Sequence, residues 1–125
     1  MAIYKIEDSN YKNVLTSPLV PCFVKFGSDG CHLCVALKKP FRELSREYGD
    51  EVLFLAVDVD ENPELKEKYI SDGIPTLYIF FGGRAYLVPE PEETHPSSWY
   101  SKEYMKEQLN KGIEGDCETW TAHTI

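Results

Sequence analysis

The strongest constraint on the fold is a change of sequence period around residues 27–30 (GSDG). Residues 19–26 (LVPCFVKF) form a compact apolar run rich in β-formers, which predicts a buried strand. From Cys31 to Tyr48, apolar residues recur at helical spacing and charged residues cover the other face, which predicts an amphipathic helix. Pro40 lies inside this pattern and should kink or divide the helix. The sequence therefore predicts a strand–loop–helix unit in which two cysteines lie at the start of the helix.

Strand and helix patterns alternate along the rest of the chain. Asn62 is suited to cap a helix, and Pro63 then takes its first position. A Gly82-Gly83 pair predicts a hairpin turn. The other predicted elements are a strand at 2–6, a helix at 10–15, a strand at 52–59, a helix from Pro63 to Tyr69, and strands at 76–81 and 84–88. This order predicts an α/β fold with a central mixed β-sheet flanked by helices.

Two segments fall outside the alternation. Residues 88–100 read as an inserted loop, proline-rich and acidic at 89–96 (PEPEETHP). Ser101 is then expected to cap an amphipathic helix over residues 101–110. Residues 113–125 lack helical spacing and are expected to form a loose tail. We therefore predict one domain over residues 1–112, with an inserted loop and a C-terminal tail.

Charge and hydropathy exclude some classes of partner. The 125 residues include 21 acidic and 13 basic side chains, for a formal net charge of -8. This balance speaks against nucleic acid or an anionic membrane surface as a partner, because both reward clustered Lys and Arg. No apolar run approaches the ~20 residues that cross a bilayer. The amino terminus lacks the basic-then-apolar pattern of a secretory signal, so a cytoplasmic location is expected.

Cys31 and Cys34 form a Cys-x-x-Cys pair, a spacing that suits zinc, iron–sulfur and redox chemistry alike. Their place at the start of a helix favours redox chemistry, because unpaired backbone N–H groups and the helix dipole stabilise a thiolate there. Cys31 would be the nucleophile, and Cys34, one turn on, would resolve the mixed disulfide. A metal site needs further ligands, and no second pair at short spacing is present. The metal alternative stays open but less favoured, and no metal ligand is assigned.

Beyond this pair, the chain resembles the thioredoxin family. The stretch Val24-Lys25-Phe26 with Cys31-His32-Leu33-Cys34 is similar to the family's strand, loop and active-site helix. Residues 57–63 (VDVDENP) are similar to its next strand and helix start, and residues 73–76 (GIPT) to its cis-proline segment. The resemblance covers residues 3–87 and 101–111 in order.

The resemblance implies a thioredoxin-like fold in which Pro75 is cis and packs against the Cys31–Cys34 pair. It also implies that a substrate chain pairs with the backbone near Ile74, with Gly30 and Leu33 as further substrate-binding positions. No bound organic cofactor is implied, since the redox group is the Cys31–Cys34 disulfide itself. The partners implied are protein disulfides and an electron donor similar to thioredoxin reductase.

The sequence departs from the family pattern at several positions. Gly30 stands where the family usually has Trp, and His32-Leu33 replaces Gly-Pro between the cysteines. A protonated His32 would favour the Cys31 thiolate. Lys25 occupies the position of a buried Asp that is thought to move the proton of the resolving cysteine. Lys25 could stabilise a thiolate or pair with Asp58 on the neighbouring strand, and the family's charged partner position is Ala56.

The sequence thus predicts a thiol–disulfide oxidoreductase that reduces protein disulfides through Cys31 and Cys34. The alternative is a binding or adaptor module of the same fold, in which redox chemistry is slow or incidental. The missing Trp and the Lys25 substitution motivate that alternative.

Overall fold

The computed structural model of the chain describes residues 3–16 and 19–125. Within these residues, six strands form one sheet in the order β1-β3-β2-β4-β5-β6. The strands are β1 Tyr4–Lys5, β2 Cys22–Gly27, β3 Leu53–Asp58, β4 Thr76–Phe81, β5 Arg84–Leu87 and β6 Ala122–Thr124. The helices are α1 Tyr11–Thr16, α2 His32–Tyr48, α3 Pro63–Tyr69 and α4 Lys102–Ile113.

The sheet is mixed, as the sequence predicts. β1 and β2 both pair with β3 in parallel, whereas β4 pairs antiparallel with β2 and β5 pairs antiparallel with β4. In this register Lys25 lies opposite Ala56, and Phe26 lies opposite Thr76. β2 is therefore the central strand, and the loop that leads to the two cysteines leaves from its carboxyl end.

Alternating side chains of the strands build a separate apolar layer on each face of the sheet. On one face, Val24 and Phe26 pack with the buried side chains of α1 and α3. On the other face, Phe23 packs with those of α2 and α4, including Phe41. Lys25 lies two residues after Phe23 in β2, so its side chain is on the same face of the sheet and points toward α2. This helix is continuous through Pro40, so the expected division of the helix does not occur.

The prediction of a loose tail over residues 113–125 is wrong for residues 122–124. These residues form β6, which pairs antiparallel with β5 so that Arg84 lies opposite Thr124 and Ala85 opposite His123. The Leu87 amide also donates to the Thr121 carbonyl at 2.9 Å. The physical reason is the exposed edge of β5, whose unpaired backbone groups accept another strand. The segment is too short for its alternation to be recognised in the sequence.

The N-terminus of α3 is capped by a different residue from the one predicted. Asn62 holds the N-cap position, but its side chain does not cap the helix. Instead, the carboxylate of Asp8 accepts from the Glu64 and Leu65 amides at 3.1 and 2.8 Å. Asn62 Oδ1 accepts from the Asp8 amide at 2.9 Å and so holds the cap in place. Ser101, by contrast, caps α4 as predicted, accepting from the Tyr104 amide at 3.0 Å.

None of the helices in residues 3–16 and 19–125 is long and apolar enough to cross a membrane.

The remote cap on α3 can be tested by substitution. Asp8→Ala removes the acceptor for two helix amides and is expected to lower the free energy of unfolding by about 1–2 kcal/mol. Glu67→Ala is the matched control, because Glu67 is exposed on the same helix and its substitution should change stability little. Urea unfolding followed by circular dichroism measures both. If both substitutions lowered the free energy of unfolding equally, the capping role of Asp8 would be contradicted.

Candidate active site

Cys31 occupies the N-cap position of α2. Its backbone is extended, with φ −103° and ψ 111°, and its Sγ accepts a hydrogen bond from the Cys34 amide at 3.2 Å. The Cys31 amide donates to the Ser28 carbonyl at 3.3 Å, which closes the loop ahead of the helix. The sulfur thus takes the place of a capping oxygen, where backbone N–H groups and the helix dipole favour negative charge. Cys31 is partly exposed, so it can be reached from solvent.

Cys34 lies one turn further on and is buried, with 3% of its surface exposed. A Cβ at Gly27 would lie 3.0 Å from Cys34 Cβ and 3.1 Å from its Sγ, so any side chain there would have to displace Cys34 by a few tenths of an ångström. The pKa of Cys34 is raised to about 12, chiefly by burial and next by the hydrogen bond with Cys31, while the backbone of Ser28 and the charge of Lys25 act in the opposite direction. The two sulfurs therefore differ: one is accessible, and the other is held as a protonated thiol.

Lys25 is a buried cation beside this pair. It is 8% exposed, and its Nζ lies 5.3 Å from the centroid of the Phe41 ring. The pKa of Lys25 is lowered to about 8, chiefly by burial and next by the charge of Lys38, whereas Cys34 opposes the shift. The expected alternative of an ion pair with Asp58 is wrong, because these two side chains form no salt bridge within 4.0 Å. A cavity of about 100 Å³ is lined by Lys25, Cys34 and Asp58 among others.

The Ile74-Pro75 peptide bond is cis, as the resemblance implies. Pro75 is buried and Ile74 is half-buried. Since Thr76 lies opposite Phe26 in the antiparallel β2–β4 pair, Pro75 comes next to Gly27, the residue against which Cys34 packs. The sheet register thus brings the cis-proline segment to the cysteine pair, although the two are far apart in the sequence.

The remaining predicted site residues surround Cys31 on the loop and the first turn of α2. Gly30 is exposed in a turn, with open space where a side chain would be. His32 is exposed at the first position of the helix, and Leu33 is half-buried. Asp29 forms an exposed ion pair with Lys38 at 3.2 Å, which links the loop to α2 and contributes little to stability.

The other sulfur and imidazole groups do not join the pair. Across residues 3–16 and 19–125, no group of three or more His, Cys, Asp or Glu side chains is placed to share a metal ion. Cys22 is buried in β2, where burial raises the pKa of its thiol to about 11. Cys117 is also a buried free thiol.

Two features of the site were missed in the sequence. The sequence pattern places Gly27 in a turn, whereas in the structure it ends β2 and makes room for Cys34. A glycine at the end of a largely apolar strand was the available signal, since such a residue often marks a close approach. The Ser28 carbonyl that receives the Cys31 amide carries no signal in the sequence, because it is a backbone group.

Comparison with known proteins agrees with this geometry. The family model described as thioredoxin matches residues 2–98. Thioredoxin from Rickettsia prowazekii is 32% identical over 81 residues, which are 65% of this chain and 77% of that protein. Thioredoxin 1 of a Nostoc strain is 31% identical over 83 residues, 66% of this chain and 78% of its own.

The fold is also similar to a solved structure, that of chloroplastic thioredoxin z. The two superpose with a TM-score of 0.72 at 22% sequence identity, covering 92% of this chain and 96% of the other. With the family model matching most of its length, and a Cys-x-x-Cys pair at the start of α2, the chain belongs to the thioredoxin family of thiol–disulfide oxidoreductases.

Proposed function

We propose that this protein reduces the disulfides of other proteins by dithiol exchange, with Cys31 as the nucleophile and Cys34 as the resolving thiol. The observation that carries the proposal is the contrast between the sulfurs. Cys31 is accessible and accepts a backbone N–H at a helix N-terminus, whereas Cys34 is buried against Gly27 with a raised pKa. One sulfur is therefore suited to attack, and the other is held back until a mixed disulfide exists.

The first step is attack by the Cys31 thiolate on one sulfur of the substrate disulfide. A bond forms between Cys31 Sγ and that sulfur, and the second substrate sulfur leaves as a thiolate. His32 is exposed next to Cys31, and its protonated form would add positive charge beside the attacking sulfur.

The second step needs a proton acceptor, because Cys34 must become a thiolate before it can attack Cys31 Sγ. Lys25 shares the cavity behind Cys34, and its pKa is lowered to about 8 by burial. Its neutral amine takes the Cys34 proton. The Cys34 thiolate then forms the Cys31–Cys34 disulfide, and the substrate sulfur leaves as a thiolate and acquires a proton from solvent. Lys25 would thus act in place of the carboxylate found in the family.

The substrate would dock as an extended chain against the backbone at Ile74, with Gly30 and Leu33 on the loop side. Support comes from the sheet register, which sets the cis-proline segment beside Gly27. The exchange needs no organic cofactor, and a reductase similar to thioredoxin reductase would restore the dithiol. A cytoplasmic location belongs to the same proposal.

The assignment of the two cysteines predicts different failures for their serine variants. Cys31→Ser should lower disulfide reduction to the uncatalysed rate, because a hydroxyl is not ionised near neutral pH. Cys34→Ser should attack substrate normally but accumulate a mixed disulfide through Cys31. Insulin reduction measures the first effect, and mass spectrometry of the non-reduced protein measures the second.

Cys22→Ser is the control, and it should keep activity, since that thiol lies in the core of the sheet. Full reductase activity in Cys31→Ser would contradict the proposal, and would leave a binding or adaptor role for the fold.

The proton transfer predicts a pH profile for release of the mixed disulfide. In the wild type, release should speed up as Lys25 loses its proton, with a midpoint near pH 8, and level off above it. Lys25→Met should slow release by about a hundredfold near pH 8, because a positioned proton acceptor contributes at least that much. Its rate should then rise with pH without a plateau. Rapid-quench kinetics measure this, with Lys39→Met, on the exposed face of α2, as control. An unchanged profile in Lys25→Met would exclude the transfer.

The same lysine predicts a stability change with a defined pH window. The pKa of Lys25 falls from 10.5 in the unfolded chain to about 8 in the fold, so the unfolded chain binds more protons between those values. The wild type should therefore gain stability as pH rises from about 8 to about 10.5. Lys25→Met should be more stable than the wild type by about 3 kcal/mol at pH 7. That advantage should shrink above pH 8, as urea unfolding at pH 7 and pH 9.5 can show.

A further inference from the structure

A cavity of about 380 Å³ lies next to the cis-proline segment. Three parts of the chain that are distant in sequence form its wall. Asp72 and Thr76 flank Ile74-Pro75, Glu90 and Tyr100 lie near the two ends of the inserted loop, and Trp120 belongs to the segment that leads into β6. The cavity therefore depends on the inserted loop and on the terminal strand, and it opens one residue from Pro75.

The wall combines aromatic surface with negative charge. Tyr100 is buried, and its pKa is raised by burial and also by the charge of Glu90, which puts that carboxylate close to the ring. Asp72 supplies a second carboxylate on the opposite segment. The lining residues include no Lys or Arg. Among residues 3–16 and 19–125, neither carboxylate takes part in a salt bridge. The cavity thus offers two unpaired anionic groups beside Trp120, which is partly exposed.

We propose that this cavity binds an arginine side chain of the substrate polypeptide, a few residues from the disulfide that is reduced. This inference rests on the proposed function. A guanidinium suits the wall because it stacks on aromatic rings and donates paired hydrogen bonds to carboxylates. An extended substrate advances by about 3.3 Å per residue, so side chains next to the reacting cysteine reach beyond Pro75. Asp72 and Glu90 are therefore the residues that determine specificity.

The test compares two disulfide-linked peptides that differ only in having Arg or Gln at positions within four residues of one cysteine. The wild type should reduce the Arg peptide with a kcat/KM about tenfold above that of the Gln peptide, through a lower KM. In the double variant Asp72→Asn/Glu90→Gln this ratio should fall to about one. The control is Glu92→Gln/Glu93→Gln, which removes the same charge from exposed positions of the loop that do not line the cavity. It should keep the tenfold ratio.

A ratio of one in the wild type, or an equal fall of the ratio in the control, would overturn the proposal. Failure of the proposed function gives a different result, in which the wild type reduces neither peptide. In that case the cavity is tested by measuring the affinity for the same peptides with Ser in place of Cys, through tryptophan fluorescence. Tighter binding of the Arg peptide that is lost in Asp72→Asn/Glu90→Gln supports the site. Equal binding of both peptides overturns it.

Discussion

The site depends on the close packing of Cys34 against Gly27, where α2 begins over the end of the central strand. The two residues approach so closely that a Cβ at Gly27 would lie 3.1 Å from Cys34 Sγ. This contact buries one thiol and leaves Cys31 as the cap of the helix, accepting from the Cys34 amide. Two chemically identical side chains thereby receive different surroundings, and a stepwise exchange requires that difference.

Lys25 shows that the same packing has an energetic cost. An ammonium group in an apolar layer loses hydration, and the ring of Phe41 and the small cavity compensate only in part. Its lowered pKa reflects the remaining penalty at neutral pH. A residue that lowers stability in this way needs another reason to be present, and the proposed proton transfer from Cys34 would supply one. With Ala56 opposite, no charged side chain on that position of β3 relieves the penalty.

Local patterns predicted most of the scaffold. The period change at residues 27–30, the apolar runs and the Gly82-Gly83 turn were sufficient for a mixed sheet with flanking helices, because each depends on neighbouring residues. Features formed by distant segments could not be predicted. Asp8 caps a helix more than fifty residues away, and β6 is recognisable only once the edge of β5 is known. At the site, sequence motifs predicted the cysteines and Pro75. The contact between Gly27 and Cys34 and the burial of Lys25 could not be predicted, because they depend on how α2 packs on the sheet.

The inserted loop and β6 together contribute to the wall of the cavity beside the cis-proline segment. β6 pairs with the edge of β5, and this pairing places the preceding segment with Trp120 beside the start of the inserted loop. The loop in turn supplies Glu90 and Tyr100, so additions to the strand–helix framework form part of the wall next to the cis-proline segment, together with framework residues such as Asp72 and Thr76. The exchange chemistry resides in α2, β2 and the segment before β4. Selection of partners can therefore vary through the additions while the distances at the two sulfurs stay fixed.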